Sequence, residues 1–193
     1  MDQLEAASAA LRRGLLVVMP TDTVYGVGAL PRAHGGVASL FEVKGRPESK
    51  PIPVLAASDE DLLEVVVFDR RAHALAELFW PGPLTLVLPR RLDWPYDLGG
   101  DAATIAVRVP RDELARSLLE RTGPLAVTSA NRSAQRPAST VAEARRALGE
   151  HVAVYLDGGV CSGSPSSVVS LVDELRMLRE GAVSLAEIQN ATE

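Results

Sequence analysis

Short apolar runs punctuated by turn residues constrain this chain more than any other feature. "LLVVM" (15–19), "IPVLAA" (52–57), "PLTLVLP" (83–89), "TIAVRVP" (104–110), "PLAVT" (124–128), "VAVYL" (152–156) and "SSVVSLV" (166–172) are built mainly from Val, Leu, Ile and Ala. Continuous runs of this length read as strands buried on both faces. Amphipathic segments lie among them. "LEAASAALRR" puts Leu4, Ala7 and Leu11 on one helical face and stops at Gly14, and "HGGVASLFEVKG" groups Val37, Leu40 and Phe41 in the same way. Further helices are expected over Arg70–Phe79, from Asp112 to Arg121, from Thr140 to Leu148 and near 184–189. Asp59 is placed to cap a short helix, and Thr140 with Glu143 has the spacing of a capping box. "ELRMLREG" reads as one more strand. Some strands follow one another with no helix between them, which is not the rhythm of a regular doubly wound fold. The expectation is an α/β fold with a twisted, open, mixed parallel/antiparallel sheet and flanking helices, in a single domain over residues 1–193.

Composition removes several classes of function. The net charge is -5, and neither end carries a basic block, so non-specific nucleic-acid binding through a cationic surface is not expected. Cys161 is the sole cysteine, which leaves no intrachain disulfide. The N-terminus lacks the order of a signal peptide, and no apolar stretch reaches membrane-spanning length, so the expected address is the cytoplasm. There is no GxxxxGK[ST] phosphate loop and no complete GxGxxG fingerprint. His34, His73 and His151 are scattered and make no metal-ligand set with Cys161. Ser129 has no GxSxG elbow around it.

What remains is a series of polar residues just past strand ends: Thr21, Asp22 and Thr23, then Lys44 and Arg46 with Lys50 close by, then Arg108, then Ser129 and Asn131. Ligands of open α/β sheets collect at such edges. "KGRP" couples a compact ammonium to a planar guanidinium that can hold a phosphate or carboxylate through two parallel bonds. Arg108 lies within an apolar strand, where it would be costly unless an anion or an acidic partner met it. In "PTDTVYGVG" (20–28), Asp22 is expected to shape the turn, and Gly26 and Gly28 to let the backbone turn and approach a ligand. Together these residues point to an anionic ligand that is nucleotide-like or amino-acid-like.

The ordered set "PTDTVYGVG", "KGRP", "PGPLTLVLP", "AVRVP", "TSAN" and "SSVVS" followed by "LREG" resembles the YrdC/TsaC family of threonylcarbamoyl-AMP synthases, from about Leu4 to Gly181. The resemblance implies a sheet curled around a positively charged groove. It also implies a reaction: L-threonine, bicarbonate or CO2, and ATP, with Mg2+ accompanying the ATP, give L-threonylcarbamoyladenylate and pyrophosphate. The downstream partner would be a tRNA threonylcarbamoyl transferase complex, and direct tRNA contact is a further candidate interaction. By resemblance, Lys44 and Arg46 embrace the phosphates and the carboxylate end of the substrate. Thr23, Thr104, Arg108 and Ser167 contact the amino acid. Lys50, Ser129, Asn131 and Arg179 lie on the nucleotide side. Four positions depart from the common pattern: Lys50 stands where longer relatives often have asparagine, Leu55 and Asp112 where a histidine is frequent, and Ser170 where aspartate is commoner. The alternatives are a relative that makes carbamoyl adenylate from carbamoyl phosphate, an RNA-binding or ribosome-associated protein of the same fold, and a paralogue that kept the fold without the activity.

Overall fold

The computed structural model describes residues 2–161 and 164–192. Among them the chain runs α1 (Gln3–Arg12), β1 (Val17–Met19), β2 (Gly26–Ala29), α2 (Gly36–Lys44), β3 (Val54–Leu55), a 3-10 turn (Glu60–Glu64), α3 (Arg70–Phe79), β4 (Leu84–Pro89), β5 (Thr104–Arg108), α4 (Glu113–Thr122), β6 (Leu125–Ser129), α5 (Val141–Leu148), β7 (Val154–Tyr155), β8 (Ser167–Ser170), β9 (Arg176–Arg179) and α6 (Leu185–Asn190). The strands form one sheet in the order β7-β1-β2-β6-β3-β5-β4-β8-β9. β7–β1, β3–β5 and β4–β8 pair in parallel, and the remaining neighbours pair antiparallel. The mixed sheet and its flanking helices follow the sequence pattern.

Alternation along the strands divides the apolar residues between two faces. Val18, Val27, Val54, Leu86 and Val107 belong to one buried cluster. Val17, Met19, Leu125 and Val127 belong to the other, packed with Leu11 of α1 and with Leu118 and Leu119 of α4. On that second face, Thr85, Val87, Ala106, Arg108 and Val168 from the β5-β4-β8 half border an open cavity.

Several local expectations change. "GVGA" is strand β2, inserted between β1 and β6, and neither Gly26 nor Gly28 has positive φ. These glycines therefore do not turn the chain. A Cβ at Gly26 would stand 2.7 Å from Val127 Cγ1, and one at Gly28 would stand 3.3 Å from Val127 Cγ2, so the absent side chains make room for β6. Asp59 makes no cap bond. Instead Asp61 Oδ2 accepts from Ser58 N at 3.1 Å, while Ser58 Oγ accepts from Asp61 N at 3.3 Å. Thr140 caps α5 as its spacing predicts, but Glu143 closes on Ser139, accepting from its N at 2.8 Å and its Oγ at 2.9 Å. Of "IPVLAA" only Val54–Leu55 is strand.

Candidate functional site

A cavity of about 420 Å³ opens beside the carboxyl ends of β3 and β5, within the size range of small-molecule sites. Its floor is one row across the sheet. Leu55 of β3 pairs with Arg108 of β5. Thr85 is one step beyond the Leu86–Val107 pair on β4, and so lies next to Arg108. Thr85 pairs with Val168 of β8, which pairs with Arg179 of β9. All five residues line the cavity, together with Thr21, Thr23, Arg46, Lys50, Thr128, Ser129 and Ser166. Among the described residues the lining contains four cationic side chains, Arg46, Lys50, Arg108 and Arg179, and no carboxylate.

Arg108 is 5% exposed and is gripped from three sides. Its Nε donates to Gly82 O at 2.9 Å, Nη1 to Thr23 Oγ1 at 3.0 Å, and Nη2 to Asp22 Oδ1 at 2.5 Å. Asp22 also accepts from the Arg111 backbone N at 2.9 Å. The acidic partner that a buried arginine requires is thus Asp22, whose job is wider than shaping a turn. Burial pulls the guanidinium below its ordinary value; Asp22 pulls it back up, and the charge of Arg179 lowers it further. The turn around Asp22 is shaped by Thr21: its Oγ1 accepts from Val24 N at 3.2 Å and donates to Val24 O at 2.6 Å, while lying 2.9 Å from Thr23 Oγ1.

Lys44 ends α2 and is 2% exposed. Its Nζ donates to Ser129 O at 2.5 Å, with Ser129 Oγ at 3.3 Å and Asn131 Oδ1 at 3.4 Å. Desolvation first, and then the charge of Arg46, hold its pKa down at about 8. Asn131 Nδ2 donates to Arg132 O and Gln135 O, both at 2.8 Å, so this buried amide ties the loop after β6 to the ammonium. Arg46 closes the "KGRPESKP" loop by donating from Nε to Lys50 O at 3.0 Å and from Nη2 to Pro51 O at 2.9 Å.

The structure therefore gathers Thr23, Arg46, Lys50, Arg108, Ser129 and Arg179 around one space. Lys44 and Asn131 stand behind that surface, in contact with Ser129. Thr104 lies at the opposite end of β5 from Arg108, outside the lining. Ser167 is displaced from its expected place beside a substrate. It is fully buried on the opposite face, where its Oγ donates to Val183 O at 2.5 Å and accepts from Gly181 N at 2.9 Å and Val183 N at 3.0 Å. The serine that faces the cavity is Ser166, one residue earlier and hence on the other side of the strand. Ser166 and Thr85 were both missed; the period-2 rule applied to "PSSVVS", with Val168 as reference, would have found Ser166. Leu55 makes part of the floor apolar, whereas Ser170, opposite Val87 and Arg176, is outside the lining.

Fold and site together define a mixed α/β domain with a cation-lined cavity, and sequence comparison places it. The family model Sua5/YciO/YrdC, described as "Telomere recombination", matches residues 9–181, and the chain belongs to that family. A Mycobacterium leprae protein provisionally named threonylcarbamoyl-AMP synthase is 43% identical over 188 residues, covering 96% of this chain and 86% of that protein. The threonylcarbamoyl-AMP synthase of Idiomarina loihiensis is 37% identical over 178 residues, covering 88% of this chain and 93% of its own. The crystal structure of P. abyssi Sua5 complexed with L-threonine superposes with a TM-score of 0.93 at 35% identity, over 99% of this chain; the chain spans 58% of that longer one.

Proposed function

We propose that this chain is an L-threonylcarbamoyladenylate synthase, acting as a single domain on L-threonine, bicarbonate or CO2, and ATP. One observation carries the reading: four cations and a set of Ser and Thr hydroxyls converge on one cavity in a member of a family whose relatives bear that name. In the reaction, the threonine amine forms an N–C bond to CO2 and loses a proton, giving a carbamate. A carbamate oxygen then bonds to the α-phosphorus of ATP as the bond to pyrophosphate breaks.

No protein nucleophile is required. The domain has to hold two anions close and in line, and orientation of this kind is worth up to about 7–11 kcal/mol. Arg108, fixed by Asp22, Thr23 and Gly82, is assigned to the carboxylate end of threonine, with Thr23 beside it. Arg46, Lys50 and Arg179 are assigned to phosphoryl oxygens, where they offset the charge that moves onto the leaving group. Lys44 adds positive field from behind Ser129 and holds that residue in place. Asn131 anchors the same loop. Thr104 is left to an outer contact. Among the described residues no group of three or more His, Cys, Asp and Glu side chains could hold a metal, so Mg2+ is assigned to the phosphates of ATP and to water. The product would pass to a tRNA threonylcarbamoyl transferase in the cytoplasm. No helix among the described residues is long and apolar enough to cross a membrane.

The test is direct. Purified protein is incubated with ATP, bicarbonate and labelled threonine in the presence of pyrophosphatase, and an adenylate carrying the label is expected. Folded protein that yields none overturns the reading. Product formed from carbamoyl phosphate without threonine points instead to carbamoyl-adenylate synthesis.

A further inference from the structure

We infer that the hydroxyls of Thr85 and Ser166 act as one hydrogen-bond donor, primed by Arg179 and aimed at an anionic oxygen in the cavity. The identity of that anion rests on the reading above; the donor itself does not. Both residues line the cavity and both are buried, at 5% and 6% exposure. Their oxygens are 2.9 Å apart, which is one hydrogen bond and uses one of the two hydroxyl hydrogens. Arg179 donates from Nη2 to Ser166 Oγ at 3.1 Å and, from Nε and Nη2, to Ser166 O at 3.0 and 2.8 Å. A guanidinium can only donate, so it takes up an acceptor site on Ser166 and none of the hydrogens.

The second hydroxyl hydrogen has no protein acceptor among the described residues. Its position follows from polarity. A cation donating to Ser166 Oγ makes that hydroxyl the better donor, so Ser166 donates to Thr85 and the surplus hydrogen is left on Thr85. Thr85 stands in the floor row between Arg108 and Val168, with Arg179 beyond, so the surplus donor lies between two guanidinium groups. A carboxylate or phosphoryl oxygen held by either arginine would complete it. Thr85 would then touch the ligand, and Ser166 would be a positioning residue that carries the influence of Arg179.

The experiment titrates wild type, Thr85→Val and Thr85→Ser separately with L-threonine, with ATP and with inorganic phosphate, and measures urea midpoints alongside. T85V keeps the shape and loses the hydroxyl; its affinity for one of these anions should fall about 10- to 100-fold. T85S should stay near wild type, with all three midpoints close together. A loss confined to threonine assigns the donor to a carboxylate, and a loss with ATP or phosphate assigns it to a phosphoryl oxygen; both sustain the inference. It is overturned if T85V binds all three within twofold of wild type, if T85S loses as much as T85V, or if wild type takes up none of them. Adenylate synthesis by the wild type is assayed separately: without product the synthase reading falls, and the binding comparison still decides the role of Thr85.

Discussion

The cavity is flanked by two buried cations that are held in opposite ways. Arg108 meets a carboxylate, Asp22, and its remaining bonds go to Thr23 and Gly82. Lys44 meets only uncharged acceptors, Ser129 O, Ser129 Oγ and Asn131 Oδ1, and has no ion-pair partner among the described residues. Its one close charged neighbour with a resolved effect, Arg46, is another cation and lowers its pKa. The Arg108 side is thus locked in direction and largely neutralised. The Lys44 side keeps its field. In the proposed reaction, these are the separate needs of an amino acid that must be oriented and a phosphate chain whose charge must be stabilised.

Removing the compensation should do most damage. Asp22→Ala leaves Arg108 buried without its carboxylate, and loss of one partner of a buried pair costs about 3–5 kcal/mol. Urea unfolding should show it; a change below 1 kcal/mol would mean that the pair is solvated and that the contrast between the two sides is false. Arg46→Ala acts on the other side. Its bonds are to carbonyls of an exposed loop, so stability should barely move, while turnover falls about 10²- to 10³-fold, as for loss of a donor to a developing anion. If turnover is intact, the field on that side does not come from Arg46.

A smaller effect separates wall from ligand. Ser167→Ala strands the amides of Gly181 and Val183 and should cost about 1–3 kcal/mol in unfolding with threonine affinity unchanged. Loss of affinity without loss of stability would restore Ser167 as a contact residue. The gentlest test is pH. With Lys44 at about 8 in the fold and 10.5 ordinarily, the unfolded chain binds more protons between those values. Stability contributed at this site should therefore rise with pH across that window. The kcat/KM for ATP should move the other way, falling above about pH 8 as the ammonium is lost. Lys44→Arg should shift that limb to higher pH; an unshifted limb means that another group titrates.

Much of this arrangement was legible in the sequence because apolar runs mark strands whatever their partners. β2 was not, since "GVGA" carries almost no β signal, and its strand character is imposed by β1 and β6 on either side. Strand order was equally out of reach, because pairing β4 with β8 joins residues about eighty positions apart. At the site, Arg46, Lys50, Arg108, Ser129 and Arg179 stand together around the cavity, as their motifs suggested. What the sequence hid was orientation. Choosing Ser166 over Ser167 depends on which face of β8 is bare. That the Lys44 ammonium turns to Ser129 depends on where α2 ends relative to β6. Asp22 could be paired with Arg108 only after two segments 86 residues apart had met.

The knot at Ser167 has a consequence for anyone who trims or tags this protein. Its hydroxyl bonds reach Gly181 and Val183, and residue 181 has no room for a Cβ, which would sit 2.4 Å from Pro165 O. The segment leading into α6 is therefore the latch of β8, the strand next to Thr85, and Ser166 hangs from the same latch. A nick between Gly181 and Val183 is expected to loosen β8, and with it one side of the cavity, without cutting at any residue of the floor.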